Sequence, residues 1–346
     1  MAYKVMSLKK ENPRISIITA VHNGAATIEN TIQSVINQSY DNIEYIVIDA
    51  CSDDGTQNIV QHHIDQIDRY ICEPDEGIYD AFNKGVLMSS GDIIGIINSD
   101  DWYEPDAINK VVRCFINSDA DIVYGNCNRI IDNKTAGKLP VRNLRFLIWD
   151  MCIPHPAVFV KKNVYERIGL FDKKYKIAAD YDFILRAYLG GVRFCYLDDT
   201  ISNFRFGGVS TTNEQNCTDE TDQIVLRNIN LHRFFAIIKQ FIPEIKSIYI
   251  FGAGEWGGRL AKILKLTDIS VTGFIDNMDE KQGTLFNSIM VYAPEVLRSD
   301  ESQVGVIICN MQYEDVIYDQ LIGMKLSSSV VILKLSELIL EYSETQ

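Results

Sequence analysis

Short apolar runs alternate with segments of helical periodicity along the N-terminal third of the chain. Residues 15–21, Ile15-Ser16-Ile17-Ile18-Thr19-Ala20-Val21, read as a first strand that His22-Asn23-Gly24 breaks, where Asn and Gly suit a turn. Ile28, Ile32, Val35 and Ile36 are spaced to share one face of a helix, with Thr27 as its N-cap. Residues 42–49 read as a second strand ending on Asp49, residues 69–72 as a third and residues 92–97 as a fourth, with a helix over 78–90. This alternation predicts βαβ units and a parallel sheet.

A second α/β pattern begins at residue 247. Strands are expected at 247–251, 269–275, 304–308 and 330–334, each paired with a helix. Residues 213–246, polar and then amphipathic, read as a helical linker. The chain therefore divides into residues 1–212, this linker, and a small Rossmann-like domain over 247–346.

Composition narrows the class. The 346 residues are 47% hydrophobic and 23% charged, in the range of a globular protein with a substantial core. A formal net charge of −14 argues against nucleic-acid partners. The eight cysteines are scattered without a CxxC pair, which suggests buried free thiols in a reducing compartment. The N-terminus lacks the apolar core of a signal peptide, and no apolar stretch reaches the roughly 18 residues of a membrane span. A cytoplasmic protein is expected.

The candidate chemistry is acidic. Asp49, Asp100 and Asp101 all end predicted strands, at the edge where open α/β sheets bind ligands. Adjacent carboxylates repel unless neutralised, and a divalent cation carrying a diphosphate would neutralise them; Mg²⁺ and Mn²⁺ favour such oxygen ligands. The same residues also suit capping, Asp49 in a turn and Asp100 or Asp101 before a helix that Pro105 helps to start. Lys84 lies four residues after Asp80, placed to meet a phosphate or to pair with Asp80. His155, between two prolines, is rigid enough for a metal or diphosphate contact, or is a hydrogen-bonded loop residue. Asp180 suits an N-cap, and Asp182 a pair with Arg186 at i+4.

Several of these pieces, in order, resemble family 2 glycosyltransferases. They are the run 15–21 with Asn23, the strand ending in Asp49 followed by Ser52-Asp53-Asp54-Gly55-Thr56, and the segment Glu73-Pro74-Asp75-Glu76-Gly77-Ile78-Tyr79-Asp80 through Gly85. Ser90-Gly91-Asp92 with Asn98-Ser99-Asp100-Asp101, then Ile153-Pro154-His155-Pro156, and Ala178-Ala179-Asp180-Tyr181-Asp182 complete the set. The resemblance covers about residues 13–210 and implies a GT-A fold. It implies an inverting, metal-dependent transfer of a sugar from a nucleoside diphosphate sugar to a glycan or lipid-linked acceptor in bacterial surface polysaccharide synthesis. It assigns Asp180 as the catalytic base, and Asp101 with His155 to Mn²⁺ or Mg²⁺. Thr19, Ala20, Val21, Asn23, Asp49, Asp80, Lys84 and Asp100 fall to the donor. One departure stands out: many relatives carry two acids where this chain has Asp49-Ala50, so nucleobase recognition is not carried over. Residues 141–153, which mix arginine with bulky apolar side chains, suit either an acceptor surface at the inner membrane face or a core-facing helix. Arg205-Phe206-Gly207-Gly208 through Thr212 suits a loop closing over the donor. Homo-oligomerisation is left open.

In the C-terminal domain, Gly252, Gly254 and Gly257 sit between a strand and a helix, with Asp276 at the end of the next strand. This is the arrangement of a nucleotide-binding turn, or only of a tight strand–helix turn. Two rival functions follow: a nucleotidyltransferase, disfavoured because His22-Asn23-Gly24-Ala25 is not a basic glycine-rich loop, and a non-catalytic scaffold sensing NAD(H) or a nucleotide.

Overall fold

The computed structural model describes residues 12–208, 213–243, 247–298 and 304–344. The chain forms two compact units, Met1–Thr221 and Asp222–Gln346.

The first unit opens with β1 (Ile15–Val21), α1 (Ile28–Ile36), β2 (Ile43–Asp49), α2 (Thr56–His62), β3 (Arg69–Cys72), α3 (Ile78–Met88) and β4 (Ile93–Ile96). Strands β3, β2, β1 and β4 pair in parallel in that order. All of β1 and β4 is buried, which is why both are dominated by apolar residues on both faces rather than alternating with exposed polar ones. Thr27 occupies the N-cap of α1, but its hydroxyl makes no capping bond and donates instead to the Gly24 carbonyl, at 3.4 Å.

Next come β5 (Trp102–Tyr103), α4 (Ala107–Asn117), β6 (Ile122–Ile131), β7 (Lys134–Lys138), β8 (Val158–Lys161), α5 (Lys162–Ile168), α6 (Ala179–Leu189) and β9 (Phe194–Arg205). Strand β8 pairs antiparallel with both β4 and β6, β6 runs parallel to β9, and β5 pairs antiparallel with β9. The sheet order is β3-β2-β1-β4-β8-β6-β9-β5, with β7 on β6. A parallel half thus meets a mixed half beside β4, the strand that delivers the acidic segment. Within residues 141–153, Leu144–Ile148 is a short 3₁₀ helix whose Phe146, Leu147 and Ile148 are buried with Trp149, so the apolar side chains face the core.

The second unit begins inside α7 (Glu214–Asn228) and continues through α8 (Leu231–Phe241), β10 (Ser247–Phe251), α9 (Glu255–Leu264), β11 (Ser270–Ile275), β12 (Leu285–Phe286) and β13 (Ile289–Tyr292). It ends with β14 (Val304–Ile308), α10 (Glu314–Gly323), β15 (Val330–Lys334) and α11 (Leu335–Glu344). Its strand order is β12-β13-β11-β10-β14-β15, parallel apart from the β12–β13 hairpin. The division between the units falls at Thr221/Asp222 for a local reason. Glu220 accepts backbone hydrogen bonds from residues 176–178, whereas Asp222 is buried with Arg259 (Nε to Oδ1, 2.6 Å) and Lys262 (Nζ to Oδ2, 2.6 Å). Among the described residues, no helix is long and apolar enough to cross a membrane.

Candidate active site

The turns after β1 and β2 are laced together. Asn23, in the left-handed region at φ 54°, donates its N–H to Ser52 Oγ at 2.8 Å, and its Oδ1 accepts the Asp53 N–H at 2.9 Å. Asp49 anchors this lacing from below. Its Oδ1 accepts from the Ser52 N–H (2.8 Å) and hydroxyl (2.7 Å), and its Oδ2 from the Tyr70 hydroxyl at 2.9 Å. Asp49 is fully buried, so it holds the rim together and does not face it. Thr19 is equally buried and accepts the Tyr45 hydroxyl at 3.2 Å, while Ala20 and Val21 are buried at the end of β1.

The acid pair after β4 divides inward and outward. Asp101 is fully buried: Oδ1 accepts the backbone N–H of Arg205 at 2.9 Å, and Oδ2 accepts the Asn98 side-chain amide at 3.3 Å. Its carbonyl accepts the Thr31 hydroxyl at 2.7 Å. Burial, reinforced by the charge of Asp100, pushes its pKa well above the usual carboxylate range. Asp100 is half-buried, and burial raises its pKa too, against the pull of the Arg205 guanidinium. Gly208 packs on its carboxylate so closely that a β-carbon there would stand 2.9 Å from Asp100 Oδ2. The Asn98 side-chain carbonyl oxygen is buried with no hydrogen-bond partner. Of the loop expected to close over the donor, residues 209–212 lie outside the described residues.

Asp180 enters from the first turn of α6. Its Oδ1 accepts the Tyr181 N–H at 2.9 Å and lies 3.0 Å from the Tyr79 hydroxyl, whose one proton it shares with the Ile177 carbonyl at 2.5 Å. Tyr79 is buried, and burial together with the Asp180 charge raises its pKa, so the hydroxyl stays protonated. His155 stacks on Phe82, ring centroids 5.8 Å apart, and Asp180 is the charged group acting on it. Burial lowers the His155 pKa against that pull. Asp180 and His155, which the sequence reading gave to different tasks, therefore share one neighbourhood.

Asp80 and Lys84 pair at 3.2 Å, and Lys84 also meets Glu73 at 2.9 Å. Lys173 donates to Asp80 at 2.8 Å and, with Lys84, holds its pKa below the usual range. Asp182 is buried against Arg186 (Nε to Oδ2, 2.7 Å), whose other nitrogens donate to the Ile168 and Leu170 carbonyls. The sequence reading missed Glu220. Its Oε1 accepts the Lys176 N–H at 2.7 Å, and its Oε2 accepts the N–H groups of Ile177 (2.8 Å) and Ala178 (2.9 Å), just before the helix that carries Asp180. Nothing in the local sequence near residue 220 signals this, since the contact spans more than 40 residues.

In the second unit, Gly252 takes φ +117° at the end of β10, and Gly257 is pressed to the turn, where a β-carbon would stand 2.1 Å from the Gly252 carbonyl oxygen. Asp276 closes the turn: Oδ2 accepts the Ala253 N–H and Lys281 Nζ, each at 3.0 Å, and Oδ1 accepts the Met278 N–H at 3.0 Å.

Comparison with known proteins agrees with this architecture. The model of the family described as "Glycosyl transferase family 2" matches residues 16–180, and that described as "C2185-like, N-terminal" matches residues 244–332. An uncharacterized glycosyltransferase of Mycobacterium tuberculosis is 31% identical over 182 residues, 51% of this chain and 70% of that protein. A PGL/p-HBAD biosynthesis glycosyltransferase of Mycobacterium bovis is 29% identical over 209 residues, 58% of this chain and 80% of that protein. Among solved structures, S. aureus TarS 1-349 in complex with UDP-GlcNAc superposes with a TM-score of 0.51 at 17% identity, over 72% of this chain and 79% of that one. The Pyrobaculum calidifontis mannosyltransferase PcManGT in complex with GDP-Man and Mn²⁺ gives 0.51 at 19% identity, over 64% and 66%. These structural likenesses speak to the GT-A fold of the first unit. The family match and the mycobacterial relative lead to one conclusion: this chain belongs to the family 2 glycosyltransferases and is a glycosyltransferase.

Proposed function

We propose that this enzyme transfers a sugar, with inversion, from a nucleoside diphosphate sugar to a glycan or lipid-linked acceptor in surface polysaccharide or glycolipid synthesis. The relative whose name places it in PGL/p-HBAD biosynthesis supports the acceptor class. The neighbours solved with UDP-GlcNAc and with GDP-Man and Mn²⁺ support the donor class and a divalent cation.

The observation that carries this reading is the division of labour between adjacent acids. Asp101 is sealed inside by Arg205 and Asn98, and Asp100 keeps a half-exposed carboxylate at the sheet's carboxyl edge. We therefore assign the cation contact to Asp100, the partly exposed acid of the pair, in preference to Asp101. Among the described residues no three His, Cys, Asp or Glu side chains gather into a metal cage. That fits a cation that arrives on the diphosphate and takes one or two protein carboxylates, as Mg²⁺ and Mn²⁺ commonly do. When bound, such a cation would neutralise charge developing on the leaving diphosphate.

The chain's own residues then do the following. Tyr79 and the Tyr181 N–H both lie on Oδ1 of Asp180, and we assign Oδ2 to the acceptor. Asp180 Oδ2 takes the proton of the acceptor hydroxyl as that oxygen attacks the anomeric carbon. The bond from that carbon to the diphosphate breaks on the opposite face, and its electron pair leaves with the diphosphate. Asp49, Ser52 and Asn23 hold the turns after β1 and β2 in shape, and we assign those turns to the nucleotide. The test is diphosphate release from UDP- and GDP-sugars, with Mn²⁺ and with EDTA. Asp180→Asn is expected to lower turnover by at least about a hundredfold, in the range of lost general-base catalysis, while donor affinity holds. Unchanged turnover would remove Asp180 from the chemistry.

A further inference from the structure

The second unit holds a cleft that sugar transfer does not use. The chain runs outward from the central strand β10 to β11 and β13, then returns to lay β14 on the other side of β10, so the crevice beyond the carboxyl ends of β10, β11 and β14 is the sheet's topological switch point, the place where open α/β sheets bind ligands. A cavity of about 280 Å³ lies there, lined among others by Gly252 after β10, Asp276, Met278 and Lys281 after β11, and Asn310 and Tyr313 after β14. Met278 and Tyr313 are 47% and 52% exposed, two broad apolar side chains held at the lip of the cleft. Such a lining, with a few polar groups, suits a flat ring system.

The glycines of the turn add an independent observation. Gly257 is demanded by the protein itself, through its contact with the Gly252 carbonyl. Gly254 is not: its φ of −148° is open to any residue, and a β-carbon there would meet nothing within 4 Å. The space over Gly254, beside the N-terminus of the ten-residue helix α9, is room for something outside the chain to approach the backbone. Asp276, by contrast, is not available as a ribose ligand, since both of its oxygens are engaged in closing the turn. Lys281 Nζ is spent in part on the same closure, donating to Asp276 Oδ2 and to the Ala253 carbonyl, each at 3.0 Å, which leaves its third proton and Asn310 as the polar lining toward a ligand.

We infer that this cleft is a second nucleotide site, with the base and ribose between Met278 and Tyr313 and the phosphates over Gly254. The shared chemistry is that of a nucleoside diphosphate; a nucleotide sugar and a dinucleotide are its two sources. The inference does not depend on the catalytic reading of the first unit.

Calorimetric titration of the full chain in EDTA with UDP, ADP and NAD⁺ tests it, using Asp100→Asn throughout to weaken the transferase site. At least one probe is expected to bind, and Gly254→Val, which fills the open space, is expected to weaken it about tenfold or more. Tyr313→Ala, a change at an exposed side chain, is expected to weaken it as well and guards against misfolding of the valine variant. Binding of NAD⁺ alone identifies a dinucleotide, and binding of UDP or ADP a nucleoside diphosphate. Absence of binding by all three, or binding that neither Gly254→Val nor Tyr313→Ala weakens, overturns the inference. Transfer activity of Gly254→Val, measured separately, reports on the first site alone.

Discussion

The backbone N–H of Arg205 donates to Oδ1 of Asp101 at 2.9 Å, joining the last residue of β9 to the acid that follows β4. The bond holds a fully buried carboxylate against the end of β9. Asp101→Ala would leave a partly buried N–H unpaired, and a loss of about 1 kcal/mol is expected, read as a lower denaturant midpoint. An unchanged midpoint would mean that the bond contributes little in solution.

Asp182 and Arg186 form the buttress of the helix that carries Asp180. Removing the carboxylate strands a partly buried guanidinium that also ties down the Ile168 and Leu170 carbonyls. Asp182→Ala is expected to cost about 3 kcal/mol in chemical denaturation, as breaking a buried pair does. If stability holds and only turnover falls, Asp182 belongs to the chemistry instead.

Glu220 sets the position of Asp180 through three backbone N–H groups. Glu220→Ala is expected to lower kcat by roughly ten- to a hundredfold, the scale of a small misplacement of a reacting group, with little change in donor KM. Glu220→Gln, which keeps an acceptor oxygen, should recover part of that loss. Equal kcat in all three proteins would show that the loop holds its shape without the carboxylate.

His155 makes folding sensitive to acid. Burial lowers its pKa in the folded protein, while Asp180 acts in the opposite direction. A group with a depressed folded pKa binds fewer protons in the native state than in the unfolded one. Its contribution to stability is therefore present above the unfolded value, near 6.5, and is lost as pH falls through the folded value. Melting temperature is expected to fall between pH 7 and pH 5, and His155→Phe, which keeps the ring on Phe82, should flatten that slope. Asp180→Asn should steepen it by removing the charge that favours protonated His155. Identical slopes in all three would remove His155 as the origin.

The parallel half of the first sheet was legible because β1, β2 and β4 are almost wholly buried and rich in Ile and Val, with turn residues between them; the few polar positions, Ser16, Thr19 and Glu44, do not break the pattern. The mixed half was not. Strand β6 interrupts its apolar residues with Gly125, Asn126 and Asn128, and β9 carries Asp198, Asp199 and Asn203, so neither shows a clean period. The positions of the acids were visible, but their directions were not. Asp100 and Asp101 are neighbours in sequence, and only Arg205, brought back by β9, decides which one faces inward. Asp49 ends its strand as expected, yet the Tyr70 hydroxyl and Ser52 take up its oxygens. The Asp80–Lys84 pair follows from helical spacing, whereas Lys173 reaches Asp80 across 93 residues and Glu220 caps a loop more than 40 residues away.

The most direct test is thermal melting of the wild type, Asp100→Asn and Asp101→Asn against UDP and GDP, each with and without Mn²⁺. A ligand held by the folded state raises the melting temperature by mass action. One diphosphate is predicted to raise it only with Mn²⁺, with the rise lost in Asp100→Asn and kept in Asp101→Asn. A rise that needs no metal and survives Asp100→Asn would contradict the assignment of the outward-facing acid to the donor's cation.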